Sequence, residues 1–271
     1  MSENFNEIES LIKDNPSKDL RLYTLGRFEA IVEGYSVNKK YWGRDKTLQL
    51  LQFLINARHR GGLHKEQIVN RLWEDSNKVS GDRDFKVAMH GINKAFEPNR
   101  PNRTDPKYVL RQGLTYQLNM EYIWLDLDIM EKLIEMGNNF INNQKDKAIQ
   151  AYTAAIKLYE GPFLPERMYE DWCSEERERI QVITLSGIIN LAELLIPSNP
   201  MESIRLSKSA LLIDKTWEDA YRIQMEAYLV NGNRPQALRT YAECEKVLDE
   251  EFGISPLPRT KALLKSIEQI S

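Results

Sequence analysis

A chain that echoes itself at a fixed offset has few folds open to it in that region. Ser203-Ile204-Arg205-Leu206-Ser207-Lys208-Ser209-Ala210 and Ala237-Leu238-Arg239-Thr240-Tyr241-Ala242-Glu243-Cys244 stand 34 residues apart. That is the period of tetratricopeptide repeats, in which helix pairs stack to bury a continuous core. Ala148-Ile149-Gln150-Ala151-Tyr152-Thr153-Ala154-Ala155 is an earlier copy, followed by the longer insertion GPFLPERMYEDW. Trp217 to Tyr228 supplies the first helix of a pair, and Asn231-Gly232-Asn233-Arg234-Pro235 the turn. Small Ala beside bulky Leu, Ile and Tyr at helical spacing is what such stacking needs. Residues 121–271 therefore read as a helical-repeat domain.

The first half is built differently. At about 150 residues per domain, a chain of 271 residues is long enough for two. After a polar leader, residues 1–19, the stretch LRLYTLGRFEAIVEGYSV has aromatic and β-branched residues broken by Gly26 and Gly34, a pattern of short antiparallel strands. Three helical patterns follow. Lys46–Ala57 carries Leu50, Leu51, Leu54 and Ile55 on one face and ends at the Arg58–Gly62 run. His64–Trp73 buries Ile68, Val69, Leu72 and Trp73. Asp82–Phe96, with Ser80 or Asp82 as its cap, has the stripe Phe85, Ala88, Met89, Ile92, Ala95 and Phe96 and stops before Pro98 and Pro101. Residues 108–118 then read as two strands about Gly113. Residues 20–120 are thus a helix-turn-helix with a hairpin wing, and the whole chain is mostly α with small antiparallel sheets.

In such a module the last helix fits the major groove of DNA and the wing reaches nearby phosphates. The third helix turns Arg83, Lys86, Val87, His90 and Lys94 away from its apolar stripe. Charge points the same way. Residues 18–120 hold 19 Lys and Arg against 11 Asp and Glu, a net +8, whereas residues 121–271 net -8. A basic half joined to an acidic half is a mark of nucleic-acid contact by the basic part.

These stretches also resemble a known family. LYTLGRFEAIVEG, Trp42 with Lys46-Thr47-Leu48-Gln49-Leu50-Leu51, GLHKEQIVNRLWED, DRDFKVAMHGINKAFEP and YVLRQGLTYQLN are similar to the response-regulator type of winged helix, in the version of the Streptomyces-type antibiotic regulatory proteins (SARP). Trp124-Leu125-Asp126, Tyr159 to Pro165, Glu170-Asp171-Trp172, Glu176 to Arg179, Glu250 to Pro256 and Pro258-Arg259-Thr260 resemble the bacterial transcriptional activation domain that follows it in that family. The resemblance implies a transcription activator that binds double-stranded DNA through Arg83, Lys86, Val87, His90 and Lys94 of the third helix and through Arg111 and Thr115 of the wing, whose tip is Gly113-Leu114-Thr115. It also implies RNA polymerase as a partner of the loop Glu74–Val79, and a homodimer or a regulatory protein as partner of the repeat domain. Gly91 and Asn93 stand where the family usually has Arg, and Leu110 where relatives have a phosphate-binding Thr. Gly91→Arg is accordingly expected to restore a cation at the DNA surface.

Other chemistries have little to rest on. No Walker loop, GxGxxG, GxSxG or HExxH occurs, so no enzyme and no cofactor are expected. Cys173, Cys244 and the three His form neither a CxxC pair nor a metal-ligand spacing, so no metal is expected. Glu170, Asp171, Glu175, Glu176 and Glu178, beside Arg177 and Arg179, read as a solvated, salt-bridged face. No window approaches eighteen consecutive apolar residues, and the first twenty residues lack an apolar signal core, so a cytoplasmic, nucleoid-associated protein with no membrane contact is expected. The rival reading is a helical-repeat interaction scaffold whose winged helix has lost specific DNA binding.

Overall fold

Leu20 and Leu22 alternate with Arg21 and Tyr23, and in the computed structural model, which describes residues 8–12 and 18–269, this period of two is a strand with one buried face. β1 (Leu20–Tyr23) pairs antiparallel with β2 (Glu29–Val32), and β2 with β3 (Tyr35–Ser36). On its other side β1 runs parallel to β7 (Ile123–Leu125), which completes a sheet of order β3-β2-β1-β7. All three residues of β7 are buried, as a strand covered on both faces requires.

The chain packs as two compact units: residues up to Ile129 together with Glu160–Glu178, and Met130–Tyr159 together with residues from Arg179 onward. In the first, the expected helices are present with shifted ends. A short α1 (Lys39–Trp42) precedes α2 (Asp45–Asn56) and α3 (Lys65–Leu72). His64 caps α3: its Nδ1 accepts from the Glu66 amide at 3.3 Å, while the Gln67 side chain accepts from the His64 amide at 3.0 Å. The groove helix, α4, runs Lys78–Phe96 and so starts four residues earlier than expected. Its cap is Asn77, whose Oδ1 accepts from the Ser80 amide at 2.9 Å; Ser80 and Asp82 lie inside the helix. The wing is β5 (Val109–Gln112) and β6 (Thr115–Leu118), with β4 (Leu63–His64) as a third strand that the sequence did not reveal. The expected stripes of all three helices are buried. Phe85 meets Trp73 and Tyr116 edge-on, and Phe96 meets Trp42 and Tyr108 likewise.

Two buried ionic groups tie distant stretches into this unit. Asp126, 1% exposed, accepts hydrogen bonds from the Thr24 amide (2.6 Å) and hydroxyl (2.7 Å) and from the amides of Leu25 (3.0 Å) and Leu127 (2.8 Å). Arg167 holds Asp45 through two bonds, 2.7 and 2.9 Å, and donates to Gln52 at 2.7 Å. That guanidinium keeps the Asp45 carboxyl below its usual range. The segment 160–178 approaches β1 so closely that a Cβ on Gly26 (φ +89) would lie 2.6 Å from the Glu160 backbone, so the position needs glycine. Three of its acids meet cations or amides of the winged helix, Asp171 pairing with Arg71, Glu176 with Arg58, and Glu170 accepting from Gln49, while Glu175 and Glu178 stay exposed as expected of a solvated face.

The second unit confirms the helical-repeat pattern residue by residue. Its helices are α5 (Asp126–Phe140) from Met130 on, α6 (Lys145–Leu158), α7 (Ser174–Leu195) from Arg179 on, α8 (Pro200–Ile213), α9 (Glu218–Val230), α10 (Arg234–Phe252) and α11 (Pro258–Glu268). Ser203, Leu206, Ser207 and Ala210 are buried on α8, and Ala237, Thr240, Tyr241 and Cys244, each 34 positions later, are buried on α10. Ala148, Ala151, Tyr152 and Ala155 keep the same spacing on α6 and are fully buried. The echo extends to the caps: Asn199 and Asn233 both accept from the amide three residues on, each with a Pro in the first turn. On α5, Gly137 lets the Tyr152 ring lie against the helix, where a Cβ would stand 2.5 Å from it.

Two outcomes follow from this packing. Burial pushes the Asp126 carboxyl up to about 6, against the hydrogen bonds that favour its charged form. A folded value above the unfolded one stabilises most below about pH 4, and the contribution fades as pH rises through 6. Asp126→Asn should cost roughly 1–3 kcal/mol by stranding a buried amide, and urea unfolding should show its deficit against the parent shrinking between about pH 4 and pH 7. In the repeats, Ala237→Leu should overpack a fully buried site and cost about 1–3 kcal/mol in thermal melts. Unchanged melting there would mean the helices do not pack through the echoed positions.

Candidate nucleic-acid interface

A helix buried along one stripe must present the opposite stripe to solvent. On α4 that stripe consists of Arg83, Lys86, Val87, His90 and Lys94, all exposed and all among the expected site residues. Val87 is 47% exposed, an apolar side chain among cations. Arg83 lies 3.1 Å from its neighbour Asp84. Asp82, on the same first turns, bonds to Lys65 at 2.8 Å, and that ammonium keeps its carboxyl below the usual range. Lys86 and Lys94 have no carboxylate within ion-pair distance among the described residues.

The wing stands beside this stripe. Lys86, His90, Asn93 and Arg111 line one groove of about 290 Å³ between α4 and the hairpin, with Asp105 on its rim. Arg111 is held in place: its Nε donates to the Gly113 carbonyl at 2.9 Å, and the guanidinium lies over the Tyr116 ring at 5.7 Å. Thr115 is less available. It is half-buried and paired with both Gln112 and His64 in the sheet, and its methyl sits over Gly62, leaving Gly113 and Leu114 as the exposed tip. The structure thus brings the five helix residues and Arg111 to one face and sets Thr115 back from it.

Gly91 faces the opposite way from its expected role. A Cβ there would lie 2.8 Å from Thr47 Cγ2 and 3.1 Å from Thr47 Oγ1, so this glycine is where α4 crosses α2. The expectation that Gly91→Arg adds a DNA-facing cation is corrected: the side chain would have to enter a packed helix crossing. Asn93, by contrast, does reach the groove. Arg100 and Arg103 were missed as surface cations near α4, because only the helix-stopping prolines of the run EPNRPNRTDPK carried weight.

The summed charge of this unit is also different from that of the basic sequence half. Residues 1–17 contribute -3, residues 121–129 -3 and residues 160–178 -5, so the unit nets -3 despite the +8 of residues 18–120. Among the described residues Lys86, Lys94, Arg103 and Arg111 have no acid partner, whereas Arg58, Arg71 and Arg167 are paired with acids. What favours an anion here is a local patch, not a net charge.

The crossing at Gly91 gives a direct check. Gly91→Ala would gain about 1 kcal/mol of helix propensity, yet it should lower the melting temperature because Thr47, itself buried, is β-branched and stiff. Combining it with Thr47→Ser, which removes the nearest methyl, should recover part of the loss in a double-mutant cycle.

Comparison with known proteins places the chain. Residues 125–268 match the bacterial transcriptional activator domain family. Among solved structures, Mycobacterium tuberculosis EmbR, determined in complex with a low-affinity phosphopeptide, superposes with a TM-score of 0.79 over 93% of this chain at 18% sequence identity, which establishes a shared fold. This chain spans 65% of the length of that one. No curated protein sequence matches. Among the described residues no helix is long and apolar enough to cross a membrane. Since the family match spans more than half of the chain, the protein belongs to the bacterial transcriptional activator domain family, a family without enzymatic activity.

Proposed function

We propose that the protein activates transcription by binding double-stranded DNA, with α4 in the major groove and the wing hairpin against the flanking backbone. The observation that carries this reading is the exposed face of α4, where Lys86, Val87, His90 and Lys94 stand beside the held Arg111 with no acid partner among the described residues. A helix of this length presents its N-terminal residues to base edges, so Arg83 and Lys86 are the readers and Lys94 a backbone contact. An Arg83 on guanine has to give up Asp84, a surface pair worth little. The turn before α4, residues 74–77, is then the surface for RNA polymerase, and the repeat unit the surface for a second copy or a regulatory protein. The place of action is the cytoplasm, at the nucleoid.

The test is a fluorescence-anisotropy titration of the full chain against a duplex selected from a random pool and against its scrambled counterpart, at several salt concentrations. Steep salt dependence is expected for the parent. Lys94→Ala should weaken both duplexes alike and lower the salt slope by about 1. Arg83→Ala should cost about 1–3 kcal/mol on the selected duplex only. Parental binding by both variants, or a parent without a salt slope, would leave the repeat unit as an interaction scaffold and remove the groove reading.

A further inference from the structure

Beyond the end of α4 lies a second cationic feature to which no role attaches. His90, Asn93 and Lys94, from the last turns of the helix, and Arg100, Asn102 and Arg103, from the loop after it, line a depression of about 320 Å³. Its one carboxylate, Glu97, is turned to structural use: it accepts from the Lys107 amide at 3.1 Å and lies 3.4 Å from Arg100. The loop is braced further by the Thr104 hydroxyl donating to the Pro101 carbonyl at 2.7 Å and by the Asn119 amide group donating to the Lys107 carbonyl at 3.0 Å. Pro98 and Pro101 restrict it in the unfolded chain as well. Arg103 is exposed, has no acid partner among the described residues, and is held at φ +68, a left-handed backbone that a non-glycine residue adopts at a cost.

We propose that this depression is a phosphate-binding subsite that extends the DNA interface past the recognition helix and seats one backbone phosphodiester. The proposal rests on the reading of α4 as the groove helix. Its length supplies the geometry. Arg83 and Lys94 are eleven residues apart, about 16 Å along the axis, against a major groove about 12 Å wide. When the start of α4 meets base edges, its end and the following loop therefore meet the phosphate wall. The chemistry fits a phosphodiester: two guanidinium groups offering planar forks, one ammonium as a point charge, and two amide side chains as neutral donors. Because the loop is already braced, binding loses little ordering entropy, which is what separates a seat from a chance cluster of cations.

The experiment uses the full chain and the same selected and scrambled duplexes. Arg103→Gly removes the cation while suiting the positive φ, so the fold should be kept or slightly stabilised. It should weaken both duplexes roughly 3- to 10-fold at low salt and reduce the slope of log K against log salt by about 1. Arg103→Lys should retain most of that slope. In the selected duplex, single phosphates are replaced in turn by a neutral methylphosphonate. One replacement should weaken the parent and leave Arg103→Gly unaffected, which identifies the seated phosphate. If Arg103→Gly keeps the parental slope and affinity while Lys86→Ala and Arg83→Ala weaken binding to the selected duplex, the subsite is overturned and the groove reading stands. If the parent itself shows no salt-dependent binding, both fall.

Discussion

A single buried carboxylate holds the winged-helix unit together across a hundred residues of chain. Asp126 takes four donors, three of them backbone amides, at the point where β1 ends and α5 begins. The Thr24 and Leu25 amides lie past the end of β1 at Tyr23, and that of Leu127 lies in the first turn of α5, where no helical partner precedes it. A buried unpaired amide costs more than a made hydrogen bond gains, so the fold is better described as depending on the carboxylate being there than as being strengthened by it. The next carbonyl on the strand, that of Thr24, accepts from the Leu164 amide at 2.9 Å, and the Gly26 amide donates to Pro162 at 3.0 Å. The segment 160–178 is docked by this same corner, and Arg167 and Arg177 complete the attachment, the latter donating to the carbonyls of Phe163 and Arg167.

Docking that segment changes the electrostatics. Of its seven acids, Glu170, Asp171 and Glu176 meet Gln49, Arg71 and Arg58 of the first half. Among the described residues, Lys86 and Lys94 of α4, Arg103 of the loop after it and Arg111 of the wing are left without an acid partner. Coulomb attraction between exposed charges fades within about 8–10 Å at physiological salt, so an acid face elsewhere on the unit does not cancel the field at this patch. A unit without net positive charge binds an anion by its local geometry, and that makes the identity of individual cations, and their freedom from partners, more telling than their number.

The repeat unit was legible to an unusual degree because its constraint is local and periodic. Stacked helices need small residues where they approach most closely, and spacing of 0, 3, 4 and 7 puts those residues on one stripe. That is why Ala148, Ser203 and Ala237 head three copies of the same buried pattern. The caps at Asn199 and Asn233 belong to the same echo and could have been found by extending the alignment four residues upstream. The wing strands and the three helical stripes were legible for the same reason, since their periods of 2 and 3.6 are written along contiguous chain.

By itself the sequence determined the longer helices, the wing strands, which faces they bury, and which side of α4 carries its cations, since each of these follows from short-range periodicity. It also misled in instructive ways. Gly91 reads as a lost arginine, yet it is an approach point for Thr47 of α2, and nothing in the local pattern distinguishes the two. The start of α4 moved to Lys78 because Asn77 caps it and Gly81 is tolerated inside the helix, where it packs against Val69. Tertiary structure alone decided that residues 123–125 form a parallel strand beside β1, that residues 160–178 join the winged helix, and that the loop at Arg100 and Arg103 lines a pocket with the end of α4. Each of these joins residues far apart in the chain through hydrogen bonds or close approach, and such pairings leave no periodic trace in sequence.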